Sequence, residues 1–326
     1  MESPLASVRI VTYNQAPYIA RVIESILQQQ TNFPFELVIG EDCSTDGTRE
    51  MVLDYQKRYP DIIQVITSDR NIGAKLNNYR AHKACKGKYI AYCDGDDIWH
   101  SPGKLQLQVD YLETHPNCGM VFSDCDYHYV TSGKTIESYF KSIGFKQPEQ
   151  PDGLSILKGQ CRITTSTVCA RLNLVFHIID SDPFLYQTGH FLMGDTPLWL
   201  ELSNVSQLHY MDQSMATRFF LPESMTQSQD GDKVRRFWLS NAEMCLYMAE
   251  KHNLPRKDIE SFRHKLGRSE LYLAFDEQDK ALGRLAKQHL QNLNLRETLY
   301  YWGTRNRMLN RILKIGQRLR KGIKIH

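Results

Sequence analysis

The chain has 326 residues, more than one small domain needs and enough to bury a substantial core. Its composition, 41% hydrophobic and 24% charged, excludes disordered, collagen-like and disulfide-dense proteins. The net charge of +3 is unevenly distributed, because residues 298–326 contain eight Lys or Arg and no Asp or Glu, which leaves 32 basic against 37 acidic residues elsewhere.

Neither the amino terminus nor the cysteines indicate export. Residues 1–7 do not resemble a leader, and no run approaches the roughly 18 apolar residues that a membrane-spanning helix needs. The eight cysteines include no C-x-x-C pair, so neither a zinc ribbon nor a thioredoxin-like motif is indicated. We therefore expect free thiols and a cytoplasmic location.

The first third of the chain alternates strands and helices. Its apolar patterns predict strands at 7–12, 35–40, 62–67 and 89–93, and helices at 17–30, 48–59, 76–85 and 105–112. Strands separated by helices of this length form crossover connections, which predict a mostly parallel sheet flanked by helices. Ligands of such sheets bind beyond the carboxyl ends of the strands.

Beyond residue 112 the pattern is less regular. It predicts strands at 120–123, 127–130 and 165–170, and a helix over 198–202 with Pro197 at its first position and Thr196 as its cap. From about residue 233 onward the pattern is helical throughout. We therefore predict an α/β domain over residues 1–230 and a helical extension over residues 231–326.

The strongest chemical signal is Asp94-Gly95-Asp96-Asp97, which directly follows the fourth strand. Three carboxylates in four residues repel one another, and a divalent cation removes that conflict. Mg²⁺ and Mn²⁺ take oxygen ligands, commonly one or two carboxylates together with substrate phosphates. The alternative is a solvated acidic turn, which the position at the edge of a parallel sheet disfavours.

Two further polar clusters follow the first and second strands. Residues 44–48 are explained by a turn and a helix cap, but Glu41 and Asp42 are not, and a carboxylate there can accept the ring N–H of a nucleotide base. The other cluster offers an aromatic face and polar groups for a base, and its members are Thr12, Tyr13 and Asn14.

The order of these motifs carries a resemblance. TYN, then EDCSTDGT, then SDRNIGAKLNNYRAHKACKGKYIAYCDGDDIW closely resembles the family 2 glycosyltransferases, which are inverting enzymes with the GT-A fold. The resemblance is strong over residues 7–125 and weak to about residue 230. Within the family, the sequence is similar to bacterial members that build surface polysaccharides or lipopolysaccharide.

The resemblance implies a nucleotide-sugar donor, with a UDP-sugar favoured, and Mg²⁺ or Mn²⁺ as cofactor. It places Tyr13 against the nucleotide base and Asp42 at the edge of that base. It implies that Asp96 contacts the ribose or assists in binding the metal. Asp97 would ligate the metal beneath the diphosphate, and Asp94 would line the part of the site that holds the sugar.

Two other segments correspond to parts of the family's donor site. Arg70, Asn71 and Gly73 match the loop that closes beneath the nucleotide, while Lys75 could either reach a phosphate or remain solvated. The last motif of the family often has a His a few residues after a Tyr-Arg pair. Here Arg218 is present and the His is absent, which puts phosphate contact from that segment in doubt.

Inverting transfer also needs a base that takes the proton of the acceptor hydroxyl. The resemblance places this carboxylate about a hundred residues after the metal motif, at the start of a helix, where this chain has Asp195 in MGDTPLWLEL. The structural alternative is that Asp195 only interacts with the positive end of that helix. Glu201 and Asp182 are weaker candidates, and Asp182 has the sequence context of a turn.

The basic tail begins with Arg305, ends with Ile325 and has the pattern of an amphipathic helix. Its apolar residues fall largely on one side, with Lys and Arg around them, namely Leu309, Ile312, Leu313, Ile315 and Leu319. Such a helix can bind an anionic membrane surface, which suits a lipid-linked saccharide acceptor, although packing on the domain is an alternative. No nucleic-acid-binding module is recognised, and the oligomeric state stays open.

Two rival functions remain from the sequence. A sugar nucleotidyltransferase also uses Mg²⁺, but it carries a Gly-rich loop after its first strand where this chain has TYNQAPYI. A non-catalytic nucleotide or carbohydrate binder would have no use for the carboxylates at 96, 97 and 195. Turnover would separate an enzyme from such a binder.

Overall fold

The computed structural model of the chain describes residues 3–221 and 231–322, with side chains described to residue 316. The chain divides into two compact units, one made of Met1–His190 and Gly194–Pro222 and the other of Phe191–Met193 and Glu223–His326. The domain boundary expected after residue 230 falls at the edge of residues 222–230, which lie outside the described residues.

The first unit is built on one mixed sheet. Its strands, in the part of the chain described, are β1 (Ala6–Thr12), β2 (Phe35–Glu41), β3 (Ile63–Ile66), β4 (Tyr89–Asp94), β5 (Cys118–Tyr129), β6 (Lys134–Ile136), β7 (Cys169–Arg171) and β8 (Gln207–Phe220). The strand order is β3-β2-β1-β4-β7-β5-β6, and β8 pairs with β5. The strands β1 to β4 are mutually parallel, β7 is antiparallel to both of its neighbours, and β8 is parallel to β5.

Helices cover the sheet. Those of the first unit are α1 (Ala16–Leu27), α2 (Thr48–Arg58), α3 (Ala74–Ala84), α4 (Lys104–Thr114), α5 (Tyr139–Ser142), α6 (Gly153–Leu157), α7 (Leu172–Ser181), α8 (Pro183–Gln187) and α9 (Asp195–Val205). The apolar side of α1 buries Ile19, Val22, Ile23 and Ile26 in the main core, as the helical spacing predicts. The alternation of strands and helices expected for the first third is confirmed.

The register of the parallel strands brings the polar clusters together. Thr12 pairs with Glu41 across β1 and β2, and Val11 pairs with Asp94 across β1 and β4. The three strands therefore end at one edge of the sheet, and the loops that follow them share that edge.

Three local predictions are corrected. The segments 120–123 and 127–130 belong to one strand, β5, whose Asp124 interrupts the apolar run but accepts hydrogen bonds from the backbone of Cys125, Phe140 and Lys141. The predicted strand 165–170 is a 3₁₀ turn, Thr165–Thr167, followed by β7. The long strand β8 was not predicted, because its polar residues QLHYMDQS hide the alternation.

The start of α9 is also corrected. The helix begins at Asp195 with Gly194 as its N-cap, so Thr196 lies inside the first turn rather than capping it. The shift places the carboxylate of Asp195 at the helix start, where the positive end of the helix favours a negative charge.

The second unit is helical in the residues described, as predicted. Its helices are α10 (Gly231–Lys251), α11 (Arg256–Glu277), α12 (Lys280–Leu290), α13 (Leu295–Gly303) and α14 (Arg307–Gly322). A separate apolar cluster holds α11 to α13 together, and its buried members are Leu271, Phe275, Ala286, Leu290, Tyr300 and Tyr301. Within residues 3–221 and 231–322, none of the helices combines the length and the apolar character that crossing a bilayer requires.

Two side chains bind the 3₁₀ turn Thr165–Thr167, which we call the hydroxyl turn, and a third lies beneath them. Trp99 donates its indole N–H to the carbonyl of Ser166 at 2.8 Å, and the amide of Gln108 donates to the carbonyl of Thr167 at 2.7 Å. Lys104 is fully buried beneath them, with its ammonium 3.9 Å from the centre of the Trp99 ring and 2.7 Å from the side-chain oxygen of Gln108. A buried cation thus supports the turn.

This buried lysine predicts a pH-dependent stability. Burial lowers the pKa of Lys104 to about 8, whereas an unfolded lysine titrates near about 10.4. Between these values the unfolded chain binds a proton that the folded chain does not, so the free energy of unfolding rises with pH. We expect wild type to gain about 2–3 kcal/mol over Lys104→Met between about pH 8 and pH 10, measured by urea denaturation. Lys134→Met, at an exposed lysine, is the control, and parallel profiles for wild type and Lys104→Met would contradict the prediction.

Candidate active site

The acidic loop, residues 94–97, closes as a turn at the end of β4. The backbone N–H of Asp97 donates to the carbonyl of Asp94 at 3.2 Å. Asp97 is only 3% exposed, whereas Asp94 and Asp96 are partly exposed. The carboxylate of Asp97 accepts hydrogen bonds from the hydroxyl of Ser166 and from the N–H of Phe219, the latter at 3.0 Å. Within the described residues, no other residue donates a hydrogen bond to the carboxylates of Asp94 or Asp96; that of Asp96 is approached by its own backbone N–H.

Crowding of these three carboxylates disfavours their charged forms. Burial, followed by repulsion from Asp96 and Asp94, raises the pKa of Asp97 to about 8. Burial also raises the pKa of Asp94 to about 6, against an opposing attraction from the buried Arg9. The pKa of Asp96 is raised in the same way by burial. Ionising the whole loop therefore requires more positive charge than its protein neighbours supply.

Two arginines approach the acidic loop. Arg21 donates to the carbonyl of Asp96 at 3.0 Å and lies over the ring of Phe219 at 3.8 Å. Burial would lower the pKa of Arg218, but Tyr127, Asp97 and Asp94 outweigh it and raise that pKa, so the guanidinium lies in the field of the loop. Arg218, which corresponds to the last sequence motif of the family, therefore lies near the carboxylates.

The loop can supply part of a metal site. Asp94 and Asp96 are hard oxygen ligands that receive no hydrogen bond from another residue in the part of the chain described, and their excess negative charge fits a divalent cation. No group of three or more His, Cys, Asp or Glu side chains in the described residues could hold a metal by itself. The remaining ligands would have to come from water or from a bound phosphate.

The loops after β1 and β2 are joined by hydrogen bonds. The N–H of Asn14 donates to the hydroxyl of Ser44 at 3.0 Å, and the side-chain oxygen of Asn14 accepts the N–H of Thr45 at 2.9 Å. Thr12 is buried and donates to the side chain of Gln15. Thr12 and Asn14 thus shape the loop, and the ring of Tyr13, 47% exposed, stands out from it.

Glu41 does not face the cleft, contrary to the sequence expectation. Its side chain is fully buried, and its two oxygens accept the N–H of Ser44 at 2.5 Å and the Nε–H of Arg49 at 2.7 Å. Burial alone would raise the pKa of Glu41, but these two donors outweigh it and hold that pKa below its usual value. Glu41 is satisfied inside the protein and supports the loop.

Asp42 ties the end of β2 to the loop that contains Arg70, Asn71 and Gly73. Its two oxygens accept the backbone N–H groups of Ile72 at 2.8 Å and Gly73 at 2.9 Å. Gly73 has φ 87° and ψ 155°, a conformation essentially restricted to glycine. Arg70 and Asn71 are exposed on this loop. The structure therefore brings together the residues predicted to surround a nucleotide, although the carboxylate of Asp42 is engaged with the loop.

Asp195 is linked to the acidic loop through the hydroxyl turn. One oxygen of Asp195 accepts the hydroxyl of Thr165 at 2.9 Å, and the other accepts the N–H of Thr196 at 2.7 Å. The next residue of the turn, Ser166, donates to Asp97. Two candidate groups from distant parts of the sequence are thus held by adjacent hydroxyls.

The hydroxyl turn was missed by the sequence reasoning. Its residues lie in the run TTSTV, which suggests a strand, and only the concentration of hydroxyl side chains could have indicated another role. Of the weaker candidates for a base, Asp182 caps α8 by accepting the N–H of Leu185 at 3.0 Å, and Glu201 is buried within α9.

Lys75 lies close to Asp195 rather than in solvent. Its pKa is lowered to about 8 by burial, against an opposing attraction from Asp195. Its ammonium lies 3.4 Å from the carbonyl of Leu185. Lys75 therefore contributes a partly buried positive charge beside the candidate base.

Cavity size alone does not identify the site. A cavity of about 310 Å³ is lined by Arg218, Thr196 and the aromatic side chains Tyr127, Tyr139 and Trp199. A larger one, about 1230 Å³, lies near the amino ends of β4 and β5, on the opposite edge of the sheet from the acidic loop. The smaller cavity shares Arg218 with the carboxylate cluster and is the one suited to a ligand of the site.

Comparison with known proteins gives a family match. Residues 7–168 match the family model described as Glycosyl transferase family 2. The putative teichuronic acid biosynthesis glycosyltransferase TuaG of Bacillus subtilis is 36% identical over 109 residues, which cover 33% of this chain and 42% of that protein. UDP-Glc:alpha-D-GlcNAc-diphosphoundecaprenol beta-1,3-glucosyltransferase WfgD of Escherichia coli is 25% identical over 241 residues, covering 73% and 85%.

Coverage of other relatives is partial. Three uncharacterized mycobacterial proteins are 34% identical over 148 residues, and the chain spans only 42% of their length. Among solved structures, TarS of S. aureus in complex with UDP-GlcNAc aligns with a TM-score of 0.54 at 16% identity, covering 95% of this chain and 92% of that chain. The mannosyltransferase PcManGT of Pyrobaculum calidifontis, in complex with GDP-Man and Mn2+, gives 0.56 at 15% identity, covering 98% and 81%. These two structures share the fold with this chain.

The raised pKa of Asp97, about 8, predicts how metal-free protein responds to pH. A carboxyl whose folded pKa lies above its unfolded value stabilises the fold below about pH 4 and loses that contribution as pH rises towards 8. In the presence of EDTA, the free energy of unfolding should therefore fall between about pH 5 and pH 8 by at least about 1 kcal/mol more in wild type than in Asp97→Asn.

Added Mn²⁺ should reverse the loss at pH 8 in wild type, because a bound cation offsets the repulsion. Asp212→Asn, at an exposed carboxylate paired with Lys141, is the matched control and should follow wild type. Denaturation profiles of wild type and Asp97→Asn that run parallel, with or without Mn²⁺, would contradict this account.

Proposed function

The chain belongs to glycosyl transferase family 2 and has the GT-A fold, and we propose that it transfers a sugar with inversion from a nucleotide-sugar donor to an acceptor hydroxyl. A UDP-sugar is the favoured donor, and the acceptor is a saccharide of a bacterial surface polysaccharide or lipopolysaccharide. The observation that carries the proposal is the pair of hydroxyls in one turn that hold Asp97 and Asp195. The acidic loop, which would act on the leaving group, and Asp195, which would activate the acceptor, are therefore held together at one edge of the sheet.

Asp195 acts as the base in this proposal. As the acceptor oxygen attacks the anomeric carbon, the proton of its hydroxyl passes to Asp195 and the bond from that carbon to the diphosphate oxygen breaks. The hydrogen bonds from Thr165 and Thr196 fix the direction of the carboxylate. Lys75 places a partly buried positive charge beside this carboxylate.

We assign the metal contact to Asp96, with Asp94 beside it, and a supporting role to Asp97. Burial of Asp97 and its hydrogen bonds to Ser166 and Phe219 support this change from the assignment implied by the sequence resemblance. Mn²⁺ or Mg²⁺ held there would neutralise charge on the departing diphosphate. Arg218, in the field of the same loop, would add positive charge on that side.

The nucleotide would lie over the loops after β1 and β2. The exposed ring of Tyr13 offers a stacking surface for the base, and the loop with Arg70 and Asn71, tied down by Asp42, would close beneath it. In this proposal Asp42, which is only 2% exposed, shapes the base pocket through its hydrogen bonds to Ile72 and Gly73.

The acceptor would enter beside Arg218 and Thr196, where the aromatic cavity suits a sugar ring. The E. coli relative is named for transfer to a sugar on a lipid diphosphate, which supports a lipid-linked acceptor for this chain too. The enzyme would then work at the inner face of the cell membrane, on which the basic tail from Arg305 to Ile325 would bind. Within that tail, residues 307–322 form the helix α14.

The base assignment predicts a selective loss of turnover. Asp195→Asn should reduce transfer by about 10²–10⁴-fold because the acceptor proton has no base to receive it. Thr165→Val, which frees the carboxylate to rotate, should give a smaller loss in the same parameter. The measurement is nucleoside diphosphate release from a panel of nucleotide sugars with Mn²⁺ and acceptor, and Asp212→Asn is the exposed-carboxylate control. Full activity of Asp195→Asn would remove it from the mechanism, and nucleotide binding by wild type without any turnover would favour a binding scaffold.

The metal assignment predicts different responses of two neighbouring carboxylates. Asp96→Asn should raise the Mn²⁺ concentration for half-maximal activity by about tenfold or more, because it removes a direct ligand. Asp97→Asn should change that concentration less and act mainly on the maximal rate, since it only orients the loop. Titration of activity with Mn²⁺ measures both values. A larger shift in Asp97→Asn than in Asp96→Asn would return the metal to Asp97.

A further inference from the structure

Helix α13 exposes apolar side chains on the face that points away from its own core. At 100° per residue, Glu297, Tyr300 and Tyr301 fall on one side of the helix, and all three are buried. Leu295, Leu299 and Trp302 fall on the opposite side, where Leu295 is 79% and Trp302 is 53% exposed. Packing therefore accounts for one side of α13 and leaves the other unexplained.

Helix α14 repeats this arrangement. Asn310 faces inward and donates to the carbonyl of Phe275 at 2.7 Å, and Leu313 packs on the same cluster. Met308, Ile312 and Ile315 lie on the opposite side, 75%, 56% and 57% exposed. The spacing 308, 312 and 315 is the same as the spacing 295, 299 and 302 on α13, so both helices carry a continuous apolar stripe towards solvent.

Both stripes point away from the same apolar cluster. Tyr300 and Tyr301 of α13 and Leu313 of α14 pack on that cluster, and the two helices follow each other in the chain. We call the six exposed side chains together the apolar face, and its members are Leu295, Leu299, Trp302, Met308, Ile312 and Ile315. Scattered exposed apolar residues are ordinary, but six in two stripes of the same spacing on consecutive helices indicate binding to a partner.

Charge identifies the kind of partner. Arg296, Arg305, Arg307 and Arg311 are exposed beside the stripes. From residue 298 to the end of the chain there is no Asp or Glu, and Glu297, which precedes that segment, is buried against the core. A second copy of the same face would bring these cations against their equals, which disfavours self-association through it. The complementary partner has an apolar interior for the exposed apolar side chains and an anionic outer layer for the arginines. An anionic lipid bilayer has both.

We propose that α13 and α14 dock on an anionic lipid bilayer, with the apolar face in the headgroup and upper acyl region and the arginines against lipid phosphates. Trp302 suits the boundary between these regions, because its ring is apolar and its N–H is polar. The proposal extends the membrane contact of the tail to α13 and names the inserting side chains. It would hold a lipid-linked acceptor near the enzyme, but the docking itself does not depend on the proposed transfer.

Vesicle binding tests the proposal directly on the full chain. Sedimentation with vesicles of phosphatidylcholine containing about 30% phosphatidylglycerol should show binding that weakens with salt, and vesicles of phosphatidylcholine alone should bind at least about tenfold less. The triple variant Met308→Ser, Ile312→Ser, Ile315→Ser should lose about tenfold or more in binding to the anionic vesicles. Leu107→Ser, at a comparably exposed leucine of α4, should bind as wild type does.

Tryptophan fluorescence gives an independent measurement. Transfer of Trp302 from water to the interface should shift wild-type emission to shorter wavelength on adding anionic vesicles. That shift should disappear in Trp302→Phe and remain in Trp238→Phe, which removes a similarly exposed tryptophan of α10. Shifts that survive equally in both variants would place the contact elsewhere.

Other results would overturn the proposal, and each points to a different alternative. Equal binding to neutral and anionic vesicles, or full binding by the triple variant, would remove the apolar face from membrane contact. Dimerisation of wild type in sedimentation velocity, lost in the triple variant, would assign the face to a second copy. Donor hydrolysis by the triple variant should remain at the wild-type rate, so a failure of docking and a failure of the proposed transfer give different results.

Discussion

The repulsion among Asp94, Asp96 and Asp97 is the constraint on which the site depends. Three carboxylates at the end of a buried strand cannot all ionise without positive charge and hydrogen-bond donors nearby, and burial raises the cost of each charge. Two donors from other residues bind the carboxylate of Asp97, whereas, among the described residues, Asp94 and Asp96 are stabilised only by the charge of nearby arginines and, for Asp96, by its own backbone N–H. The excess negative charge of these carboxylates is the feature that favours a divalent cation in the proposed mechanism.

The hydroxyl turn connects the acidic loop to Asp195, which lies far from that loop in the sequence. Ser166 fixes Asp97, Thr165 fixes Asp195, and the backbone carbonyls of the same turn accept hydrogen bonds from Trp99 and Gln108. Because adjacent residues of one short turn carry both hydroxyls, the candidate base and the acidic loop are held in a set geometry. Catalysis by a positioned base depends on such a geometry, since a displacement of about 1 Å can reduce the rate by two orders of magnitude.

Much of this architecture could be predicted from local sequence. Apolar residues that recur every 2 or every 3.6 positions predicted the alternating strands and helices of the first third. The residues that end β1, β2 and β4 were expected at one edge of the sheet, because the carboxyl ends of parallel strands lie together. The strand β8 and the hydroxyl turn could not be predicted, because they are held by partners that lie 30 or more residues away in the sequence. Hydrogen bonds over such separations leave no periodic signal.

Glu41 shows where the sequence alone is insufficient. The sequence determined that carboxylates gather after β2 and β4, that Asp195 lies close to the start of a helix, and that the last segment combines basic residues with an apolar side. Only the tertiary structure decided that Glu41 is engaged by Ser44 and Arg49, that Asp96 accepts no hydrogen bond from another described residue, and that α13 and α14 each expose an apolar stripe. The physical reason is that residue type and spacing set what a side chain can bind. Burial and the contacts made by distant segments decide which of those bonds are already formed.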